Sequence, residues 1–282
     1  MRIHLSVKVC IGYIFGLIFL SCGQNSTEYL VKPIEPPVFQ CVVAGHAYGN
    51  PENYTKSLYP KFLKIMDSLT QKNSIDQLIL TGDVVQDTLP EIWDKVKTEL
   101  EELAVKDWKI ARGNHDLSAY MDQNIQRENH LALVHGNSLL LILNTSNNGW
   151  GLDKVQADFV QKSVTQLPDS INQIMVFTHQ LWWLKNSPKS FELDSIRPNS
   201  YALFDGEPDF WSTGFQSLQN CDKDVYFFAG DLGVDPQIES YYEDHYKNFH
   251  FFGSGMGSGE EDNLLMISIY QNQPVKIERI NF

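Results

Sequence analysis

"DQLILTGDVVQD", residues Asp76–Asp87, is an apolar run that stops at a glycine and turns acidic. Leu78, Ile79 and Leu80 are consecutive rather than alternating, the mark of a strand buried on both faces. Gly82 and Asp83 then end it. The same grammar recurs in "FQCVVAGHAYGN" (Phe39–Asn50), "DWKIARGNHD" (Asp107–Asp116), "NQIMVFTHQ" (Asn172–Gln180) and "KDVYFFAGDLG" (Lys223–Gly233). Each is a buried strand closing on glycine or polar residues. Such closures gather at one edge of an α/β sheet, where these folds build their sites.

Helical patterns separate the early strands. "YTKSLYPKFLKIMDSLTQ" carries Leu58, Phe62, Ile65, Met66 and Leu69 at helical spacing. "TLPEIWDKVKTELEEL" is a second helix, with Thr88 and Glu91 spaced as a capping box. A third runs from Asp153 to about Leu167, after the strand "SLLLILNTS". The tail is strand-rich: "NFHFFGSG", "NLLMISIYQ" and "PVKIERINF". Alternation early and strands in succession late predict a four-layer α/β/β/α sandwich of two mixed sheets flanked by helices.

The 282 residues suffice for one sizeable core, and 43% hydrophobic with 20% charged residues is a globular composition. The net charge of -13 argues against nucleic acid or anionic lipid headgroups as nonspecific partners. A phosphate-bearing substrate would need a local positive charge, which a metal ion supplies.

The N-terminus reads as a targeting segment. Arg2 and Lys8 precede an apolar run from Val9 to Leu20, too short to span a bilayer. Ser21 and Cys22 follow, in a pattern like a bacterial lipobox with Phe19 in place of the usual leucine. We therefore expect a signal peptide over 1–21, acylation of Cys22, a polar proline-bearing tether over 22–37 and a folded domain over 38–282. The other reading is an ordinary secretory signal with a chance cysteine. Both export the chain, and the first makes it a lipoprotein of the bacterial cell membrane or periplasm-facing. Of the four cysteines, Cys41 and Cys221 remain for the fold, where we expect free, packed thiols rather than a disulfide.

"GDVVQD", "GNHD" and the later "TH", in this order and each closing a strand, resemble the calcineurin-like metallophosphoesterase family over nearly the whole mature chain. The resemblance implies two metals bridged by the aspartate of the second block. It makes Asp83 that carboxylate, Asn114 and His179 ligands of the second metal, His115 the residue facing the leaving group, and Asp116 the group that orients it. The outer blocks depart. His46 stands where the family has aspartate, and Tyr48 where it has histidine. In "GDLG", Asp231 replaces one histidine and Gly233 another.

One site thus collects Asp83, Asn114, His179 and Asp231. Three oxygen donors and one nitrogen suit Mn²⁺, Mg²⁺ or Fe²⁺, with Zn²⁺ also in range. The other site keeps Asp83, with His46 and Tyr48 as candidate ligands, and is expected to be weak or absent. His46 and Asp231 could equally form an ion pair that replaces a metal. Tyr48 is either a ligand or a packed aromatic. Asp87 reads as turn chemistry, and His4, His130, His135, His245 and His250 as surface or satisfied core residues. An aromatic insertion over about 180–215, with Trp182, Trp183, Phe191, Tyr201, Phe204, Phe210, Trp211 and Phe215, is either a lid or a local core.

A phosphoester centre is anionic, so hydrolysis needs a nucleophile made from water and an offset for the added charge. A divalent ion does both. The expected activity is metal-dependent hydrolysis of a phosphate monoester or diester. The expected substrate is a small ester or a glycan- or lipid-linked phosphate, reached at a membrane through the lipid anchor. The rival is a non-catalytic relative with a binding or assembly role, favoured by the changes at His46, Tyr48 and Gly233.

Overall fold

The computed structural model describes residues 35–52, 55–146, 151–184, 196, 198–199, 210, 215–257 and 259–282. The expected signal peptide, Cys22, nearly all of the tether and most of the aromatic insertion lie outside the described residues.

Two sheets carry the fold. In the first, β1 (Phe39–Ala44), β2 (Gln77–Leu80) and β3 (Trp108–Ile110) run parallel. Two late strands, β10 (Asn263–Ile269) and β11 (Lys276–Asn281), complete it in the order β11-β10-β1-β2-β3. The second contains β4 (Leu131–His135), β5 (Ser138–Ile142), β6 (Gln173–Phe177), β7 (Asp224–Ala229), β8 (Tyr241–Tyr246) and β9 (Phe249–Ser254). Its order is β4-β5-β6-β7-β9-β8, with β5, β6, β7 and β9 parallel. Both sheets are mixed.

The period of two along each strand assigns side chains to layers. From β1, Cys41 and Val43 enter the layer between the sheets, against Met175, Phe177 and Phe228. Val42 and Ala44 face outward, under α1 (Pro60–Thr70) and α2 (Pro90–Glu102), whose Phe62, Met66, Trp93 and Val96 are fully buried. On the far side, Ile174, Val176 and Phe227 pack against Val160 of α4 (Lys154–Thr165) and Leu218 of α5 (Phe215–Gln219). Each such side chain contributes roughly 1.5–3 kcal/mol by leaving water. Both faces of both sheets are covered, which is why the central strands read as unbroken apolar runs.

The Thr88–Glu91 capping box does not form. The helix opens at Pro90, its cap position is Leu89, and no side chain caps it. Proline supplies the helical φ and has no N–H to satisfy, so it sets the start further on. Asp153 does cap α4, accepting from the Gln156 amide at 2.8 Å. Cys41 and Cys221 are free thiols. Trp182, Trp183 and Phe210 are buried in the layer outside the second sheet, with Phe210 edge-on to Trp182 and to Phe227 at 5.1 Å. These three residues of the insertion are core. His135 stacks on Phe39 at 3.9 Å and His250 on Tyr226 at 4.7 Å.

Candidate metal centre

The parallel strands of both sheets end on one edge, and their following turns meet there. Asp83 sits in a left-handed conformation, φ 50°, directly after Gly82 at φ 83°. His46 is also left-handed, at φ 54°. A short side chain tolerates this region better than a β-branched one, and the strain is held by stitches between turns. The His46 amide donates to the Gly82 carbonyl and the Tyr48 amide to the Asp83 carbonyl, each at 3.1 Å. Gly113 lies so close that a Cβ on it would fall 2.2 Å from Asp83 Oδ1.

Asp116 is buried, and its work differs from the expected orientation of His115. Oδ1 accepts from the Val84 amide at 2.8 Å and Oδ2 from the Gly113 amide at 2.8 Å. The carboxylate therefore ties the turn after β2 to the turn after β3. Burial, then the charge of Asp83, raises its pKa to about 6. His115 is held instead by the Gln86 carbonyl, 3.0 Å from Nδ1. A carbonyl only accepts, so Nδ1 carries the proton and Nε2 is the ring's other polar atom. Asp116→Ala would leave its buried backbone donors unsatisfied. It is expected to cost about 2–4 kcal/mol in urea unfolding, at roughly 1–3 kcal/mol per buried group.

Asp83, His179 and Asp231 converge: one donor atom of each lies within 4.8 Å of the others, and all three are buried. His179 Nε2 is 3.3 Å from Asp83 Oδ1 and 3.8 Å from Asp231 Oδ1. His179 Nδ1 lies 2.9 Å from the Thr81 carbonyl, which fixes Nδ1–H and turns Nε2 toward the carboxylates. Nε2 makes no hydrogen bond of good geometry although fully buried. Two ligands on one ion, each bonded at about 2.1 Å, stand roughly 3.0–3.8 Å apart. Both His179 separations fall in that range, as they would for donors to one divalent cation.

Electrostatics agree. Burial lowers the His179 pKa, but Asp83 and then Asp231 outweigh it and raise it to about 10. Burial likewise disfavours charge on Asp83, yet His179 and His46 hold its carboxyl well below the usual range. Burial drops His46 to about 4 against the pull of Asp83, so its ring is neutral at pH 7. Burial and the neighbouring carboxylates keep Tyr48 a phenol. A cation entering the trio must displace the His179 proton. Binding at pH 7–8 is expected to release about one proton per ion, with affinity rising roughly tenfold per pH unit below about 10. Calorimetry in buffers of different ionisation enthalpy measures that proton.

The other sequence candidates lie around this trio. His46 Nε2 is 3.5 Å from Asp83 Oδ2. Tyr48 is buried between two imidazoles, 4.4 Å from the His46 ring and 5.5 Å from His115. Asn114 is half-buried and opens the turn whose next amide, on His115, donates to Asp83 Oδ1 at 3.1 Å. His46 and Asp231 do not pair with each other; each faces another member of the cluster. The carbonyls of Thr81 and Gln86, which orient the two histidines, carried no sequence signal, since every residue has one.

A carboxylate–histidine–carboxylate trio on the strand-end edge of an α/β/β/α sandwich is a donor set that could hold a divalent cation. The chain belongs to the calcineurin-like phosphoesterase family, whose profile matches residues 46–231 and so takes in every residue of the trio. A dimetal phosphatase from Danio rerio shares the fold with a TM-score of 0.58 at 12% identity, over 87% of this chain and 98% of that one. A purple acid phosphatase from yellow lupin (Lupinus luteus) seeds gives 0.58 at 11% identity, over 88% of this chain and 52% of that one. No curated protein is a significant match.

Proposed function

We propose that this chain is an exported, lipid-anchored hydrolase of phosphate esters. The observation that carries the reading is the convergence of Asp83, His179 and Asp231 within 4.8 Å on the strand-end edge. Asp83, His179 and Asp231, with Asn114 beside them, would hold a divalent cation that lowers the pKa of water and offsets phosphoryl charge. The oxygen-rich set favours Mn²⁺, Mg²⁺ or Fe²⁺. His115, fixed through Nδ1–H by the Gln86 carbonyl, would present Nε2 to the departing oxygen and, in its doubly protonated form, pass the Nε2 proton to it while keeping the one on Nδ1. Asp116 keeps the two turns in register, which holds Asp83 and His115 at a constant separation.

The leader, with Cys22 at its end, supports export and anchoring, and no helix among the described residues is long and apolar enough to cross a membrane. The acidic balance of -13 and that location favour a small ester, or a phosphate linked to glycan or lipid, over nucleic acid.

Metal analysis of the purified protein, then hydrolysis of aryl phosphate mono- and diesters with and without Mn²⁺, tests this. Bound metal with Mn²⁺-stimulated turnover supports the enzyme. No bound metal and no rate above buffer leaves the second reading, a binding or assembly protein. One observation favours that reading: at Gly233, where the family has a histidine, backbone fills the space (a Cβ would fall 2.7 Å from Met256 N).

A further inference from the structure

β7 ends at Ala229, whose partner is Gly253, so the Asp231 carbonyl lies past the last rung of the ladder. Asp231 is buried. A buried carbonyl outside a sheet still needs a donor. The amino side of Asp231 is fixed by the turn after β6: the Gly230 and Asp231 amides both donate to the His179 carbonyl, at 2.9 and 3.0 Å. Its carboxyl side is fixed from elsewhere. The Asn199 amide, in the aromatic insertion, donates to the Asp231 carbonyl at 2.9 Å.

The residues around that amide are themselves anchored. Ile196 packs against the apolar cluster that contains Trp182, Trp183 and Phe210. Leu232, the residue after Asp231, belongs to the same cluster. Pro198 is buried, and its ring fixes φ just before the donating residue. The insertion and the Asp231 turn thus share an apolar anchor and a hydrogen bond. The Asn199 side chain takes no part in this, for its Nδ2 and Oδ1 are buried without a hydrogen-bond partner.

Resting on the reading of Asp83, His179 and Asp231 as a cation site, we propose that Ile196, Pro198 and Asn199 form a positioning arm that sets the Asp231 peptide for metal binding. An aspartate side chain is short, so the place of its backbone decides where its oxygens stand. A carboxylate oxygen must come within about 2.0–2.2 Å of an ion such as Zn²⁺. A peptide left free on its carboxyl side would hold that distance poorly.

Asn199→Pro deletes the donating N–H. Asn199→Ala keeps it and removes only the unpartnered side-chain amide. In calorimetric titration of the metal-free full chain with Mn²⁺, the proline variant is expected to bind about tenfold more weakly, the lower end of the loss on removing a group that orients a metal ligand. The alanine variant is expected to match the parent. At saturation the Mn²⁺ paramagnetic resonance spectrum is expected to change in the proline variant alone. Without metal, hydrogen exchange at the Gly230 and Asp231 amides is expected to quicken in that variant alone. Should proline prevent folding, Ile196→Ala loosens the arm with every amide intact, and a smaller loss of Mn²⁺ affinity is expected. Parental Mn²⁺ affinity in a folded proline variant, or in Ile196→Ala where proline does not fold, would overturn the proposal. An equal loss in the alanine variant would overturn it too, by giving the work to the side chain. If the parent binds no Mn²⁺ while exchange quickens in the proline variant alone, the cation reading fails and the positioning of Asp231 stands; unchanged exchange removes both.

Discussion

Asp83→Asn is expected to abolish phosphoesterase activity, lowering kcat/KM by at least about 10³-fold, or roughly 4 kcal/mol of transition-state stabilisation. Asparagine tolerates the left-handed backbone at this position about as well as aspartate does, so the turn keeps its shape. What changes is charge. Asp83 is the carboxylate that faces both His179 and His46 and accepts the His115 amide. Without it, His179 loses the larger of the two carboxylate pulls, so its pKa falls, and the cation site keeps one carboxylate, on Asp231. Bound metal should drop from a stoichiometric amount to little or none while the far-ultraviolet circular dichroism stays that of the parent. Turnover equal to the parent's would remove Asp83 from the mechanism.

Gly113→Ala is expected to be nearly as severe by a different route. Gly113 lies at φ -88°, ψ 175°, a conformation open to any residue, so torsion is not the obstacle. Contact is. The new methyl would fall 2.2 Å from Asp83 Oδ1 and 2.3 Å from the Asp83 nitrogen. Either the Asp83 carboxylate or the turn that carries it must move. Overpacking of this kind costs about 1–3 kcal/mol and sometimes more. Here the displaced atoms are also the donors, so metal affinity should fall with stability. Urea unfolding and metal titration on the same preparation measure both, and a variant with parental values in each would show the turn to be soft.

Much of this was legible in the chain. Of the five strand ends that build the edge, those of β1, β2, β6 and β7 are consecutive apolar residues running into glycine or, for β6, into Thr178 and His179, a signal that burial on both faces produces directly. β4 and β8 were not read as strands. Both lie at the margin of the second sheet and pair on one side only: "LALVH" is a short apolar run whose residues alternate between half-buried and exposed, and "YYEDHY" is mostly polar, with Tyr242 its one buried residue. The short α3 (Ala119–Asn124) and α5 were missed because so few residues carry no period. At the site, side-chain identity pointed to Asp83, His179 and Asp231, and the parallel topology brought them together. The partner of His115 escaped because it is a backbone carbonyl. The work of Asp116 escaped because a carboxylate beside a histidine in sequence looks like its partner, whereas the turn aims it at amides.

The place of β1 in its sheet bears on the order in which the chain completes itself. One neighbour, β2, emerges from synthesis within about the next forty residues, at Gln77–Leu80. The other, β10, arrives only with Asn263–Ile269, near the end. Until then the strand leading to His46 presents a bare row of backbone donors and acceptors, an invitation to pair with another chain. Nascent or prematurely terminated chains are therefore the aggregation hazard of this fold, and the last twenty residues are its safeguard.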